Sequence, residues 1–217
     1  LSDGPSGVRG ELWDERSDSL SLPSATAFAS TWNREIMHLV GELMAYEARR
    51  KNVDVVLGPT INLHRSPLGG RHFEAYSEDS VLSGKMAAAF VLSIQSQGVG
   101  ACLKHFIAND AETDRHTVNN IVDEETLREL YALPFEIATR DSNPWTIMSA
   151  YNRVNGPKIA ASPLLNSILK DEWKWDGLVV SDWTGVQSTV DTGSEGNDLE
   201  MPGPFGFWGE KLVAAVK

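Results

Sequence analysis

Gly177-Leu178-Val179-Val180-Ser181-Asp182-Trp183 is the stretch of this 217-residue chain that says most about its fold. An apolar run without polar alternation ends on a carboxylate, with an indole directly beside it. Lack of alternation marks a strand buried on both faces, as in a parallel sheet covered by helices. The same form recurs upstream at residues 53–58, 99–103 and 145–149, with weaker candidates at 25–29 and 198–201. Between these runs the period changes to that of helices. Ile36, Leu39, Val40 and Leu43 follow the i, i+3, i+4, i+7 spacing of one buried face. Leu127, Leu130 and Tyr131 do the same behind Asp123, an N-cap followed by Glu124 and Glu125, and Pro134 should kink or shorten that helix. Ser162-Pro163 opens another helix ahead of Leu165, Ile168 and Leu169, and a further one is expected over 77–95.

Strand and helix alternating without hairpin signals predicts an α/β fold with parallel strands. A (β/α)8-type TIM barrel and an open doubly wound sheet both fit that alternation. The barrel is favoured by where the polar residues fall. Lys104 and His105 follow one strand, Tyr151 and Asn152 another, and Asp182 a third. Chemistry spread over the C-terminal ends of several strands is the habit of barrels, whereas an open sheet gathers its ligand at one switch point. Neither a G-x-G-x-x-G fingerprint nor a P-loop occurs. No internal repeat or low-complexity linker marks a boundary within residues 1–217. Both edges fall in mid-pattern, so the chain reads as a piece of a longer polypeptide and the barrel as incomplete. An unclosed sheet exposes strand edges, so the isolated piece is expected to be marginal or self-associating, possible homo-oligomers included.

Composition narrows the function. Nineteen Lys and Arg against 30 Asp and Glu give a net charge of −11, which argues against a nucleic-acid partner. No run of residues is long and apolar enough for a membrane helix. The lone Cys102 excludes an internal disulfide and a cysteine-based zinc site. Five scattered histidines show neither H-x-H nor H-E-x-x-H, and G-x-S-x-G is absent, so no metal, cofactor or nucleophile elbow is expected. The compartment is left open, since no signal segment is present and the first residue is not Met.

Several motifs can carry chemistry. A carboxylate fixed at a strand end, as Asp182 would be, can attack an anomeric carbon, and Trp183 can wall a sugar ring; the plainer reading is a helix cap beside a core tryptophan. Lys104-His105-Phe106 offers donors to hydroxyl or carboxylate groups, or else a paired lysine and an interior histidine. Asp3-Gly4-Pro5-Ser6-Gly7-Val8-Arg9 is a turn-rich loop. In Gly69-Gly70-Arg71-His72-Phe73-Glu74, Arg71 either donates a fork to a ligand or pairs with Glu74 or Glu78. Residues 110–116 read as a solvated loop.

Taken in order, Asp-Gly-Pro-x-Gly-Val-Arg, Gly-Arg-x-Phe-Glu, Lys-His-Phe, Met148-Ser149-Ala150-Tyr151-Asn152 and Val-Ser-Asp-Trp resemble the N-terminal barrel domain of glycoside hydrolase family 3, over residues 3–204. That resemblance implies a retaining exo-acting β-glucosidase with Asp182 as nucleophile. It also implies that Asp3, Arg9, Arg71, Lys104, His105 and Tyr151 bind the hydroxyls of the terminal sugar of a β-glucoside or oligosaccharide substrate. Met148 would touch that sugar, and Trp183 would stack on the aglycone side. Lys104 and Arg71 should keep nearby carboxylates ionised. Lys104-His105-Phe106 runs into Ile107-Ala108-Asn109-Asp110 rather than the Pro-Gly-His-Gly of branches that cut N-acetylglucosamine. Asp3-Gly4-Pro5 stands where β-xylosidase branches carry Glu-Ala-Leu-His-Gly, which favours a hexose. A β-xylosidase or broad β-glycosidase of the family, or a non-catalytic sugar-binding domain, are the alternatives. In this family the acid/base Glu comes from a following C-terminal α/β domain of the same polypeptide. Asp198 and Glu200 read instead as structural or pocket residues, so the chain alone is expected to turn over little or no substrate.

Overall fold

The computed structural model describes residues 1–10, 18–204 and 206–217. Its strands are β1 (Ser2–Asp3), β2 (Val55–Leu57), β3 (Gly100–Phe106), β4 (Asn119–Asn120), β5 (Thr146–Ser149), β6 (Arg153–Val154) and β7 (Leu178–Ser181). The main sheet runs β1-β2-β3-β5-β7 with every neighbouring pair parallel. Spatial order follows chain order without reversal, which is the progression of a (β/α) barrel and not of a doubly wound sheet. Beyond β7, Val180 makes a parallel bridge to Leu199, so the segment at 198–201 continues the progression with a single bridge. Among the described residues β1 pairs only with β2, and the barrel is an incomplete one. The short strands β4 and β6 pair with each other, parallel, and tie the loop after β3 to the loop after β5.

The strands bury two sets of side chains, which is why they lack polar alternation. Val56, Ala101, Leu103, Ile147 and Val179 join the large core beneath the helices. Their alternates Leu57, Cys102, Met148 and Val180 meet Met201 in a separate apolar layer inside the sheet's curve.

Helices α1 (Ala25–Ala29), α2 (Arg34–Arg50), α3 (Ser80–Ser96), α4 (Glu124–Thr126), α5 (Leu133–Ser142), α6 (Val190–Ser194) and α7 (Glu210–Val216) supply the rest. Residues 25–29, read as a weak strand, are a helix. Ser24 Oγ accepts from the Ala27 amide as an N-cap, and Ala25 and Ala29 bury one face one turn apart. In α2 the buried stripe is shifted by one position from the expected one. Met37, Val40, Gly41, Met44, Ala45 and Ala48 face inward, while Leu39 is 65% exposed. Small residues decide that phase: a Cβ on Gly41 would lie 2.6 Å from the Ser93 Cβ of α3. Asp123 caps α4 by accepting from the Thr126 amide at 2.9 Å. A π-helical turn over Leu127–Ala132 then resets the helix, leaving Pro134 in the first turn of α5, where its missing N–H costs little. Residues Leu165–Glu172 are π-helical too, with Leu165, Ile168 and Leu169 buried as their spacing predicts.

Candidate active site

The C-terminal ends of the strands open into a pocket of about 470 Å³, within the ~300–1,000 Å³ range of small-molecule clefts. Asp3 comes from β1, Lys104 and His105 from β3, Met148 from β5, Tyr151 from just after β5, and Asp182 with Trp183 from just after β7. Arg9 and Arg71 reach in from loops. All nine residues singled out by sequence therefore stand around one pocket, on a floor shared by Leu57, Met148 and Met201. Pairing between β3 and β5 shifts register between Leu103 and Phe106. Such an irregularity re-aims side chains, and here the successive residues Lys104 and His105 both line the pocket where a regular pleat would turn one away.

A buried acid organises the cations. Glu74 accepts from Arg71 Nε at 2.5 Å and from the Thr60 hydroxyl at 2.9 Å, and lies 3.8 Å from Lys104 Nζ. Lys104 Nζ also donates to Asp3 Oδ1 at 2.9 Å, and Arg9 stands 3.6 Å from the other Asp3 oxygen. The two readings of Arg71 thus hold together: it pairs with Glu74 and lines the pocket. Glu112 adds a second acid, 2.6 Å from Arg115 and 3.9 Å from Arg71. Burial works against Asp3, but the charge and hydrogen bond of Lys104 and the charge of Arg9 outweigh it and hold its carboxyl below the usual range.

Asp182 behaves differently. Its Oδ1 accepts from the Trp183 amide at 2.7 Å, while Oδ2 is buried and, among the described residues, accepts no hydrogen bond. Burial pushes its carboxyl up; the Trp183 amide, the neighbouring Tyr151 hydroxyl and the charges of Lys104 and Arg71 pull it back without cancelling the rise. The expectation that Lys104 and Arg71 keep it ionised holds for the direction of their effect, but burial is the larger influence. Tyr151, 5% exposed, has its hydroxyl pKa pushed up by burial and by Asp182. Trp183 is 58% exposed at the pocket's edge, not in the core.

The segment at 110–116 is a correction. It is a loop with Thr113, Asp114 and His116 exposed as expected, but it is not wholly solvated: Asp110 is buried, accepting from the Leu63 amide with its carboxyl pushed up to about 6 by burial, and Arg115 lines the pocket. Arg115 lies 4.9 Å from the centre of the Tyr151 ring, and His116 packs on the same ring at 4.3 Å. Charged residues in a loop look solvated until the fold carries that loop over a pocket, so only the Arg-acid spacing of Glu112 and Arg115 hinted at it. Asp198 and Glu200 are structural in their contacts: Asp198 accepts from the Val179 amide, and Glu200 from the amides of Phe207 and Trp208. Among the described residues no group of three or more His, Cys, Asp or Glu is placed to hold a metal ion, and no helix is long and apolar enough to cross a membrane.

Residues 10–201 match the model of the glycosyl hydrolase family 3 N terminal domain. A probable beta-glucosidase I from Neosartorya fischeri is 48% identical over 217 residues, covering 100% of this chain and 26% of that protein. A crystal structure of beta-glucosidase from Kluyveromyces marxianus in complex with glucose superposes with a TM-score of 0.96 at 45% identity, over 99% of this chain and 26% of that one. Beta-glucosidase 3B from Thermotoga neapolitana, also in complex with glucose, gives 0.89 at 49% identity, over 93% and 29%. The chain spans about a quarter of the length of these relatives.

Proposed function

The chain belongs to glycosyl hydrolase family 3, as part of its N-terminal domain, and from that premise we propose that it is the sugar-binding, nucleophile-bearing portion of a β-glucosidase. The substrate is a terminal, non-reducing β-D-glucosyl residue. The observation that carries the reading is Asp182 Oδ2, a buried carboxylate oxygen that accepts no hydrogen bond among the described residues, on a pocket ringed by Arg71, Lys104, Arg115 and Tyr151. A neutral sugar is held by charge-assisted hydrogen bonds from such donors, and those to the 2-hydroxyl strengthen as positive charge grows at the anomeric carbon. Asp3, near the rim with Arg9 and Lys104, suits the 6-hydroxyl of a hexose. Asp182 attacks the anomeric carbon as the bond to the leaving oxygen breaks, forming a glycosyl ester; water then releases the sugar with retained configuration.

The departing oxygen needs a proton from a second carboxyl, about 5–5.5 Å from the nucleophile. Apart from Asp182, Asp3 is the one acid among the described residues lining the pocket. Held by Lys104 with its pKa lowered, it is a poor proton donor. The acid/base Glu is therefore assigned to a C-terminal domain of the same polypeptide. Purified as residues 1–217, the chain should hydrolyse an aryl β-glucoside no faster than a denatured control; robust turnover overturns this assignment.

Trapping tests the nucleophile. Incubation of the complete enzyme with a 2-deoxy-2-fluoro-β-glucoside, followed by peptide mass analysis, should place the label on Asp182; an unlabelled Asp182 refutes the mechanism and favours a purely binding role. Comparison of aryl glucoside and xyloside kinetics separates the hexose reading from a xylosidase. A pH profile adds an independent check. Only ionised Asp182 attacks, and its pKa lies above the ordinary 3.8, so the acidic limb of kcat/KM should lie above that value. Lys104→Met removes a charge that favours the ionised form and should move the limb to still higher pH.

A further inference from the structure

Asn62, in the loop between β2 and α3, is buried, and its amide group engages both the backbone and the ring of His105. Asn62 Nδ2 donates to the His105 carbonyl at 2.9 Å, and Oδ1 accepts from the His105 amide at 2.8 Å. These two bonds fix which end of the amide is oxygen, because a flipped group would set donor against donor and acceptor against acceptor. The same Oδ1 lies 3.1 Å from His105 Nδ1. An amide oxygen only accepts, so Nδ1 carries the ring proton. Nε2 then presents a lone pair, and it faces Arg71, whose guanidinium only donates, at 3.2 Å. Both neighbours select the same tautomer. Burial, with the charges of Arg71, Lys104 and Arg115, keeps the ring neutral by holding its pKa well below the usual value.

The consequence falls on Asp182. His105 Nε2 lies 3.5 Å from Asp182 Oδ2, close enough that a proton on Nε2 would be donated to that oxygen after a small movement. We propose that Asn62 is a positioning residue of this site: by accepting from His105 Nδ1 it keeps Nε2 unprotonated, so that His105 accepts from Arg71 and leaves the lone pairs of Asp182 Oδ2 for the anomeric carbon. This rests on Asp182 being the nucleophile. It gives His105 a role other than donating to a sugar hydroxyl, since its one ring proton points at Asn62.

The test is made on the complete enzyme with 15N-labelled histidine. Long-range proton–nitrogen correlation should show His105 protonated at Nδ1 and bare at Nε2, and a wild-type ring protonated at Nε2 overturns the proposal. Asn62→Leu removes the acceptor. Its His105 should populate the Nε2-protonated form and donate to Asp182, with kcat falling about ten- to a hundredfold. KM should change by less than about threefold, since the loss is in the reacting step. A hydrogen bond to the ionised carboxylate favours it, so the acidic limb of kcat/KM should move to lower pH. Arg71, Lys104, Arg115, Tyr151 and the Trp183 amide face the pair in both forms, and the limb shift then reports His105. An Asn62→Leu enzyme with unchanged tautomer and unchanged limb refutes the role; should that variant not fold, the wild-type spectrum still decides. Labelling by the fluoroglucoside separates the two levels: a labelled Asp182 beside an Nε2-protonated His105 sinks this inference alone, and an unlabelled Asp182 sinks the mechanism beneath it.

Discussion

Asp182→Asn should lower kcat of the complete enzyme by about 10⁴-fold or more while leaving glucose binding within a few-fold of wild type. Removing the nucleophile of a hydrolase that works through a covalent intermediate costs up to about 10⁶ in kcat, of which binding and electrostatic contributions retain a part. Asparagine has the same shape, and its oxygen can still accept from the Trp183 amide that Oδ1 meets at 2.7 Å. The neighbouring cations lose a counter-charge, yet Arg71 keeps Glu74 and Lys104 keeps Asp3. Kinetics on an aryl β-glucoside and glucose titration calorimetry separate the two effects. A variant retaining a tenth of wild-type kcat would remove Asp182 from the chemistry, and one unable to bind glucose would make it a structural post.

Glu74→Leu is expected to have the largest effect on stability, about 3–5 kcal/mol, which is the usual loss when one member of a buried ion pair is removed. Glu74 has 5% of its side chain exposed and Lys104 has 3%. With the acid gone, Arg71 loses its closest counter-ion and Thr60 the acceptor of its hydroxyl, while Lys104 keeps Asp3. The reference point is the depth of burial: exposed pairs such as Arg140 with Glu136 contribute ~0–1 kcal/mol. Urea unfolding of the complete enzyme measures the difference, provided the transition is two-state. Glu74→Gln, which preserves an acceptor for Thr60 but not the charge, should lose less. A Glu74→Leu midpoint equal to wild type would mean that Arg71 and Lys104 find other partners, and that Glu74 does not hold the site together.

The strands at 53–58, 99–103, 145–149 and 178–181 were legible because burial on both faces writes an uninterrupted apolar run, and each contains or overlaps a strand of the sheet. Once the barrel was inferred, the positions that follow those runs were the ones to inspect, and Lys104, His105, Tyr151 and Asp182 do line one pocket. Segment 25–29 shows the limit of that logic: five residues of small and apolar type fit either period, and a serine cap settles it as helix. The phase of α2 departs from the spacing of its large apolar residues because Gly41 and Ala45 do not look like core residues, although close approach of α3 makes them so. The roles of Asn62 and Arg115, and the contact of Glu74 with Lys104, are not legible in the sequence for a different reason. Their importance lies in partners far off in sequence, His105, Lys104 and Tyr151, and only the closed-up chain shows that a loop amide serves a strand histidine.

The pairing of β4 with β6 has a practical consequence for anyone who would re-engineer substrate preference. Asn119 and Asn120 lie in register with Arg153 and Val154, Asn155 exchanges hydrogen bonds with Val122 through its side chain, and Lys158 donates to the His116 carbonyl. The loops bearing Arg115 and Tyr151 are in effect one mechanical unit with two sequence addresses. Transplanting either alone from a homologue would sever that seam, so chimaeras should exchange both segments together.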